Sequence, residues 1–187
     1  MRSAQGRLGM EQPIKTIAVV PSARGSAVQK IFRDLIERWK STARIAGVVE
    51  EGHELADRFC GAGRLRSITD GSCYPIFQDL GPGSKACHLD ASGAMAASDA
   101  VQRDITAGCD LVLLSKFGRL EAARGGLVPA FIAATETGVP ILTSVSAKFE
   151  DAWAQFAAPM YVVLPADSAT IDEWWRAARS GDKVGCS

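Results

Sequence analysis

The chain has 187 residues, enough for one domain that buries roughly 70% of the surface its unfolded form exposes. Its 21 basic and 21 acidic residues cancel, so no net field draws it to nucleic acid or an anionic membrane, and a small molecule or another protein is the expected partner. No apolar run approaches the roughly 18 residues of a membrane span, the start MRSAQGRLGM lacks a signal-peptide core, and five cysteines without a close pair argue against a disulfide framework or zinc knuckle; a cytoplasmic protein with reduced thiols is expected.

In chain order, residues 1–13 read as a polar, flexible tail, 14–180 as a single α/β domain and 181–187 as a second tail. Ile17 to Val20 is an apolar run of the kind found in strands buried on both faces. After the turn Pro21 to Ser26, Val28, Ile31, Phe32, Leu35, Ile36 and Trp39 recur at helical spacing, which makes a βα unit. Ile45 to Val49 predicts a second strand. Arg64 to Thr69 and Cys73 to Asp79 flank Asp70-Gly71 and predict a β-hairpin inserted into the α/β core. A helix over about Gly93 to Ala107, with Asp90 at its start, leads to a strand at Leu111 to Leu114. The rest reads as a helix near Leu127 to Thr137 stopped by Gly138, a strand Val139 to Val145, a helix Ala147 to Ala157, a strand Tyr161 to Leu164, and a last helix capped by Ser168. These elements predict a three-layer fold with a mostly parallel sheet, P-loop-like or Rossmann-like.

Ligands of open α/β sheets bind outside the carboxyl ends of the strands, which directs attention to the polar turns there. The first turn, PSARGSAVQK, departs from the phosphate-binding loop G-x-x-x-x-G-K-[ST]: Gly25 remains, the lysine-hydroxyl pair is missing, and Lys30 lies a turn inside the helix. Ser22, Arg24 and Ser26 with the helix-start amides can still hold a compact anion, or Ser26 can be an ordinary helix cap. The strand at 111–114 is followed by Ser115-Lys116, where nucleotide hydrolysis would call for a magnesium-binding aspartate. Glu121 could act as a base there, or pair with Arg119 or Arg124. In LGPGSKACHLD, Gly81, Pro82 and Gly83 make a turn that can present an anion nest beside Ser84 and Lys85. Cys87, His88 and Asp90 could instead ligate a metal, although alternation sends Cys87 and His88 to opposite sides of an extended segment. Thr143, Ser144 and Ser146 end the next strand and either join this rim or, for Ser146, cap the following helix. Trp153, Trp174 and Trp175 are core residues or a dimer surface.

DLVLLSKFGRLEAARGGL, the upstream LGPGSKACHLD, the later GVPILTSV and the terminal EWW together resemble the bacterial family known as domain of unknown function 2478. The resemblance runs from about Ile14 to Ala178. It rests most on Lys116, Phe117, Gly118 and Glu121, and on Gly81 to Ser84 with Cys87, Leu89 and Asp90. Ser115 stands where the family has asparagine, and Ala123 where it has glycine between the glutamate and the Arg-Gly pair. The resemblance implies an architecture similar to P-loop nucleoside triphosphatases and to accessory proteins of molybdopterin guanine dinucleotide synthesis. It also implies an association with molybdate uptake, and so with molybdenum or tungsten metabolism. Neither implication defines a reaction.

The expectation is a small-molecule binding protein with a degenerate P-loop-like site. Ser22, Arg24, Ser26, Gly81, Gly83, Ser84, Cys87, Lys116, Gly118, Arg119, Thr143 and Ser144 would hold a tetrahedral oxyanion, molybdate or tungstate, or the phosphate of a nucleotide. Donors without competing carboxylates suit such a ligand. The alternative is a nucleoside triphosphatase or nucleotide-dependent accessory enzyme of molybdenum-cofactor synthesis that uses Glu121. A scaffold recognised through Trp174 and Trp175 is a third reading. No protein-bound metal, no nucleic acid and no membrane insertion are expected; a homodimer, and contact with molybdate-uptake or molybdoenzyme-maturation proteins, are the protein partners considered.

Overall fold

The computed structural model describes residues 15–22, 27–52, 63–78 and 88–181. The elements in chain order are β1 (Ile17–Ser22), α1 (Ala27–Trp39), β2 (Ile45–Glu51), β3 (Arg64–Ser67), β4 (Cys73–Pro75), β5 (Phe77–Gln78), β6 (His88–Leu89) and α2 (Ala91–Ala107). They continue with β7 (Leu111–Phe117), α3 (Arg119–Ala122), α4 (Val128–Glu136), β8 (Ile141–Ser146), α5 (Glu150–Ala157), β9 (Tyr161–Val163) and α6 (Ser168–Gly181).

A seven-stranded sheet runs β4-β3-β2-β7-β8-β1-β9. From β2 to β9 every neighbouring pair is parallel, and β3 and β4 extend it antiparallel. The expected hairpin is therefore an extension of the main sheet along the edge of β2. It turns through Gly71, whose φ is +75°, while Asp70 accepts from the Ser72 N–H at 2.9 Å. β5 and β6 form a separate antiparallel pair.

Strands buried on both faces demand a core on each side, and both are present. On one face α1 and α6 cover Ala18, Val20, Leu111, Leu113 and Leu142 with Phe32, Leu35, Trp39, Ile171 and Trp175. On the other, Ala97, Val101, Phe131 and Trp153 of α2, α4 and α5 cover Val19, Val48, Val112 and Leu114. This is the expected three-layer α/β architecture. The second core holds an aromatic cluster in which Phe117 meets Trp153 edge-on at 5.2 Å between centroids and Phe131 at 6.1 Å. Helix α2 lies close to the hairpin: a Cβ on Gly93 would stand 1.7 Å from the Pro75 carbonyl oxygen, so that approach requires glycine.

Asp90 caps α2 as expected, accepting from the Ser92 N–H at 2.9 Å. Ser168 does not cap α6. It is the first helical residue, and the preceding Asp167 accepts from the Thr170 N–H at 2.8 Å, bonds that hold the Asp167 carboxyl below its ordinary range. Ser146 makes no side-chain capping bond either; the chain passes through one 3-10 turn, Ala147–Phe149, before α5. Trp174 and Trp175 are buried, 8% and 2% exposed, which removes the scaffold reading that needed them at the surface. Trp175 packs on Trp39 at 5.8 Å, and the Trp174 Nε1–H donates to the Lys15 carbonyl at 2.9 Å. Among the described residues no helix is long and apolar enough to cross a membrane.

Candidate functional site at the carboxyl edge of the sheet

α1 and α5, which follow the adjacent strands β1 and β8, lie on opposite faces of the sheet. In open α/β sheets such a divergence marks the place, outside the strands' carboxyl ends, where ligands bind. The registers Val48↔Leu114, Leu114↔Thr143 and Val20↔Ser144 bring the ends of β2, β7, β8 and β1 to one level. Ser22, Lys116, Gly118, Arg119, Glu121, Thr143 and Ser144 thus share one edge of the molecule. Arg24, Ser26, Gly81, Gly83, Ser84 and Cys87 lie outside the described residues.

Strand β7 runs three residues past the apolar stretch, to Phe117, because Ser115 and Lys116 find partners on neighbouring elements. Ser115 is fully buried and its hydroxyl donates to the Gln29 side-chain oxygen on the first turn of α1. The same Oγ accepts weakly from the Glu50 N–H at 3.4 Å. The Lys116 Nζ lies 3.1 Å from Glu50 Oε2, with the lysine side chain 39% exposed and the glutamate 10%. The expected rim without competing carboxylates is therefore corrected: Glu50 is in it. Glu51, next along β2, is held by Arg66 and Arg64 at 2.6 and 2.7 Å, and the Arg66 bond foremost keeps its carboxyl below the ordinary range.

Glu121 organises the turn after β7. Its Oε2 accepts from the Gly118 N–H at 2.9 Å, the half of a capping box that reaches back over α3, and its Oε1 accepts from the Leu127 N–H at 3.0 Å. Neither Arg119 nor Arg124 is its ion-pair partner among the described residues; the carboxylate is 7% exposed and turned inward. Burial pushes its pKa up, and the bonds from Leu127 and Gly118 hold it back in part. The glycines follow from this geometry. A Cβ on Gly126, where φ is +59°, would stand 2.3 Å from Glu121 Oε1. The KFGRLEAARGGL segment is thus a closed turn pinned at both ends by one side chain.

On β8 the two hydroxyls differ. Thr143 Oγ1 donates to the Leu114 carbonyl at 2.6 Å and ties β8 to β7. Ser144 Oγ is fully buried and has no hydrogen-bond partner among the described residues, a condition that native interiors rarely tolerate without a purpose. Strand alternation sends it to the face of Leu142 and Val20, the face that also carries Gln29. Gln29 and Glu50 were missed in the sequence because they lie 86 and 66 residues from their β7 partners and carry no motif of their own.

The model for the family described as protein of unknown function, DUF2478, matches residues 17–174. A molybdenum import ATP-binding protein, ModC 2 of Bradyrhizobium diazoefficiens, is 35% identical over 134 residues, which are 71% of this chain and 15% of that protein. The chain therefore spans only a small part of the length of this curated relative. No solved structure matches.

Proposed function

This chain belongs to the DUF2478 family of proteins of unknown function, and from that premise we propose that it binds a small anion at the carboxyl edge of its sheet. The ligand is an oxyanion, molybdate or tungstate, or a phosphate group, and the role is accessory to molybdenum metabolism. The observation that carries this reading is the buried Ser144 hydroxyl, without a partner among the described residues, near the same carboxyl edge of the sheet that carries the part-exposed Lys116 ammonium. A hydroxyl and an ammonium are donors to an anion, and an interior hydroxyl left unbonded costs free energy that a ligand would recover. The relative named for molybdenum import supports the metabolic setting. In that setting the protein would act without entering a membrane, alongside uptake or maturation proteins, as a monomer or a homodimer. Calorimetric titration with molybdate, tungstate, sulfate and phosphate tests the reading; folded protein that gives no heat with any of them would remove it.

The second reading is a nucleotide-binding or nucleoside triphosphatase role, favoured by the relative's name as an ATP-binding protein and by the opening of the fold on a buried parallel strand, β1, followed by helix α1. Against hydrolysis, Lys116 occupies the place where magnesium would need a carboxylate, and both Glu121 oxygens already serve backbone amides. This reading requires magnesium-dependent phosphate release that Glu121→Gln abolishes. A clean preparation with no turnover would exclude it.

A further inference from the structure

Resting on the reading of this edge as an anion site, we infer that Glu50 decides among that reading's ligands in favour of the phosphate group, by making the site selective for an anion that brings its own proton. Monohydrogen phosphate is such an anion; sulfate and molybdate, fully ionised at neutral pH, are not. Lys116 is the ammonium at the rim, exposed enough to meet a ligand, and Glu50 sits 3.1 Å from it on the buried side. An ammonium has three N–H donors, so Glu50 leaves at least one for a ligand oxygen. Tetrahedral geometry at the nitrogen then places that oxygen roughly 5 Å from the glutamate carboxylate. An anion made only of acceptors meets a like charge there. A P–OH group can turn toward Glu50 and donate, forming the short, strong bond of a hydroxyl to a carboxylate.

Glu50 is held in place for this role. It pairs with Leu65 in the β2–β3 ladder, and its N–H is aimed at Ser115 Oγ, which is itself anchored on Gln29. The neighbouring arginines, Arg64 and Arg66, are engaged by Glu51. Among the described residues Lys116 is the side chain that pairs with Glu50. A carboxylate carries about four acceptor sites, so capacity remains for a ligand hydroxyl.

The experiment is calorimetric titration of the wild type, Glu50→Gln and Glu50→Asp with inorganic phosphate, sulfate and molybdate at neutral pH. The wild type should bind phosphate at least about tenfold more tightly than sulfate or molybdate, the size of preference that an unfavourable charge contact imposes. Glu50→Gln, with neither the charge nor the full acceptor set, should bring the ratio toward one by tightening sulfate and molybdate and weakening phosphate. Glu50→Asp should keep the preference. Wild-type protein that takes sulfate or molybdate as tightly as phosphate overturns the inference and leaves the anion site standing. Uniform tightening of all three anions by Glu50→Gln also overturns it, since loss of a counter-charge alone would do that. Failure of every anion to bind removes the site itself. If Glu50→Gln does not fold, the wild-type ratio decides.

Discussion

Replacing Glu121 by alanine isolates what the inward-turned carboxylate does. The substitution strips the acceptor from two amide donors, Gly118 at 2.9 Å and Leu127 at 3.0 Å, in a region where both residues are buried. A buried donor left unpaired costs about 1–3 kcal/mol, so two give about 2–6. Relief from burying a carboxylate, the same burial that raises its pKa, offsets part of this. A net loss of about 2–4 kcal/mol is expected. With a urea dependence of about 2 kcal/mol per molar, the unfolding midpoint falls by about 1–2 M. The cycle with Gly126→Ala sharpens the test. Alone, that alanine takes a left-handed backbone costing about 1–2 kcal/mol and drives its Cβ to 2.3 Å from Glu121 Oε1. With the carboxylate gone the second cost disappears, so the double variant should be more stable than the sum of the singles by at least about 1 kcal/mol. Additivity within about 0.5 kcal/mol, or a single Glu121→Ala variant as stable as the wild type, would refute the pinned turn.

Three further outcomes follow from the same coordinates. Because the folded protein raises the Glu121 pKa above its ordinary 4.5, the native state holds that proton more tightly than the unfolded chain, and this contribution to stability fades as pH rises from 4.5 to the raised value. Glu121→Gln lacks the titration, so urea midpoints across that window should show the wild-type advantage shrinking; a gap that widens contradicts the burial argument. Ser144→Ala removes a hydroxyl that has no partner among the described residues, so stability should hold or rise by up to about 1 kcal/mol while anion affinity falls about tenfold. A marked loss of stability in that variant would mean that the hydroxyl serves the fold. Trp39→Phe deletes the 2.7 Å bond from Nε1 to the buried Asp172 carboxylate and should cost about 1–3 kcal/mol in urea unfolding, an estimate that no change in midpoint would overturn.

The architecture was legible where one physical signal dominated. Ile17 to Val20, Ile45 to Val49 and Leu111 to Leu114 are runs that only a doubly covered parallel sheet can bury, and all three are central strands. The α1 face and the Asp90 cap were equally plain, since each depends on residues within a few positions of one another. Elements decided by distant partners were not. The last residues of β7 look like a polar turn until Gln29 and Glu50 arrive from other elements, and α3 is too short to show a period. For the site, the rim was rightly sought at the strand ends, but what each side chain does there was not readable. Thr143 bonds to a carbonyl and Glu121 turns inward because of neighbours that periodicity cannot supply. Asp167 rather than Ser168 caps α6 because both side chains suit a cap and only the backbone path chooses between them.

The sheet also divides the four tryptophans unevenly. Trp39, Trp174 and Trp175 belong to the core under α1 and α6, while Trp153 stands alone among the phenylalanines of the opposite core. Indole emission from the protein is therefore two signals of separate origin. A Trp153→Phe variant reports the helical pair that flanks β1, and subtracting its spectrum from that of the parent isolates the other face. Loosening of either side can then be timed by light alone.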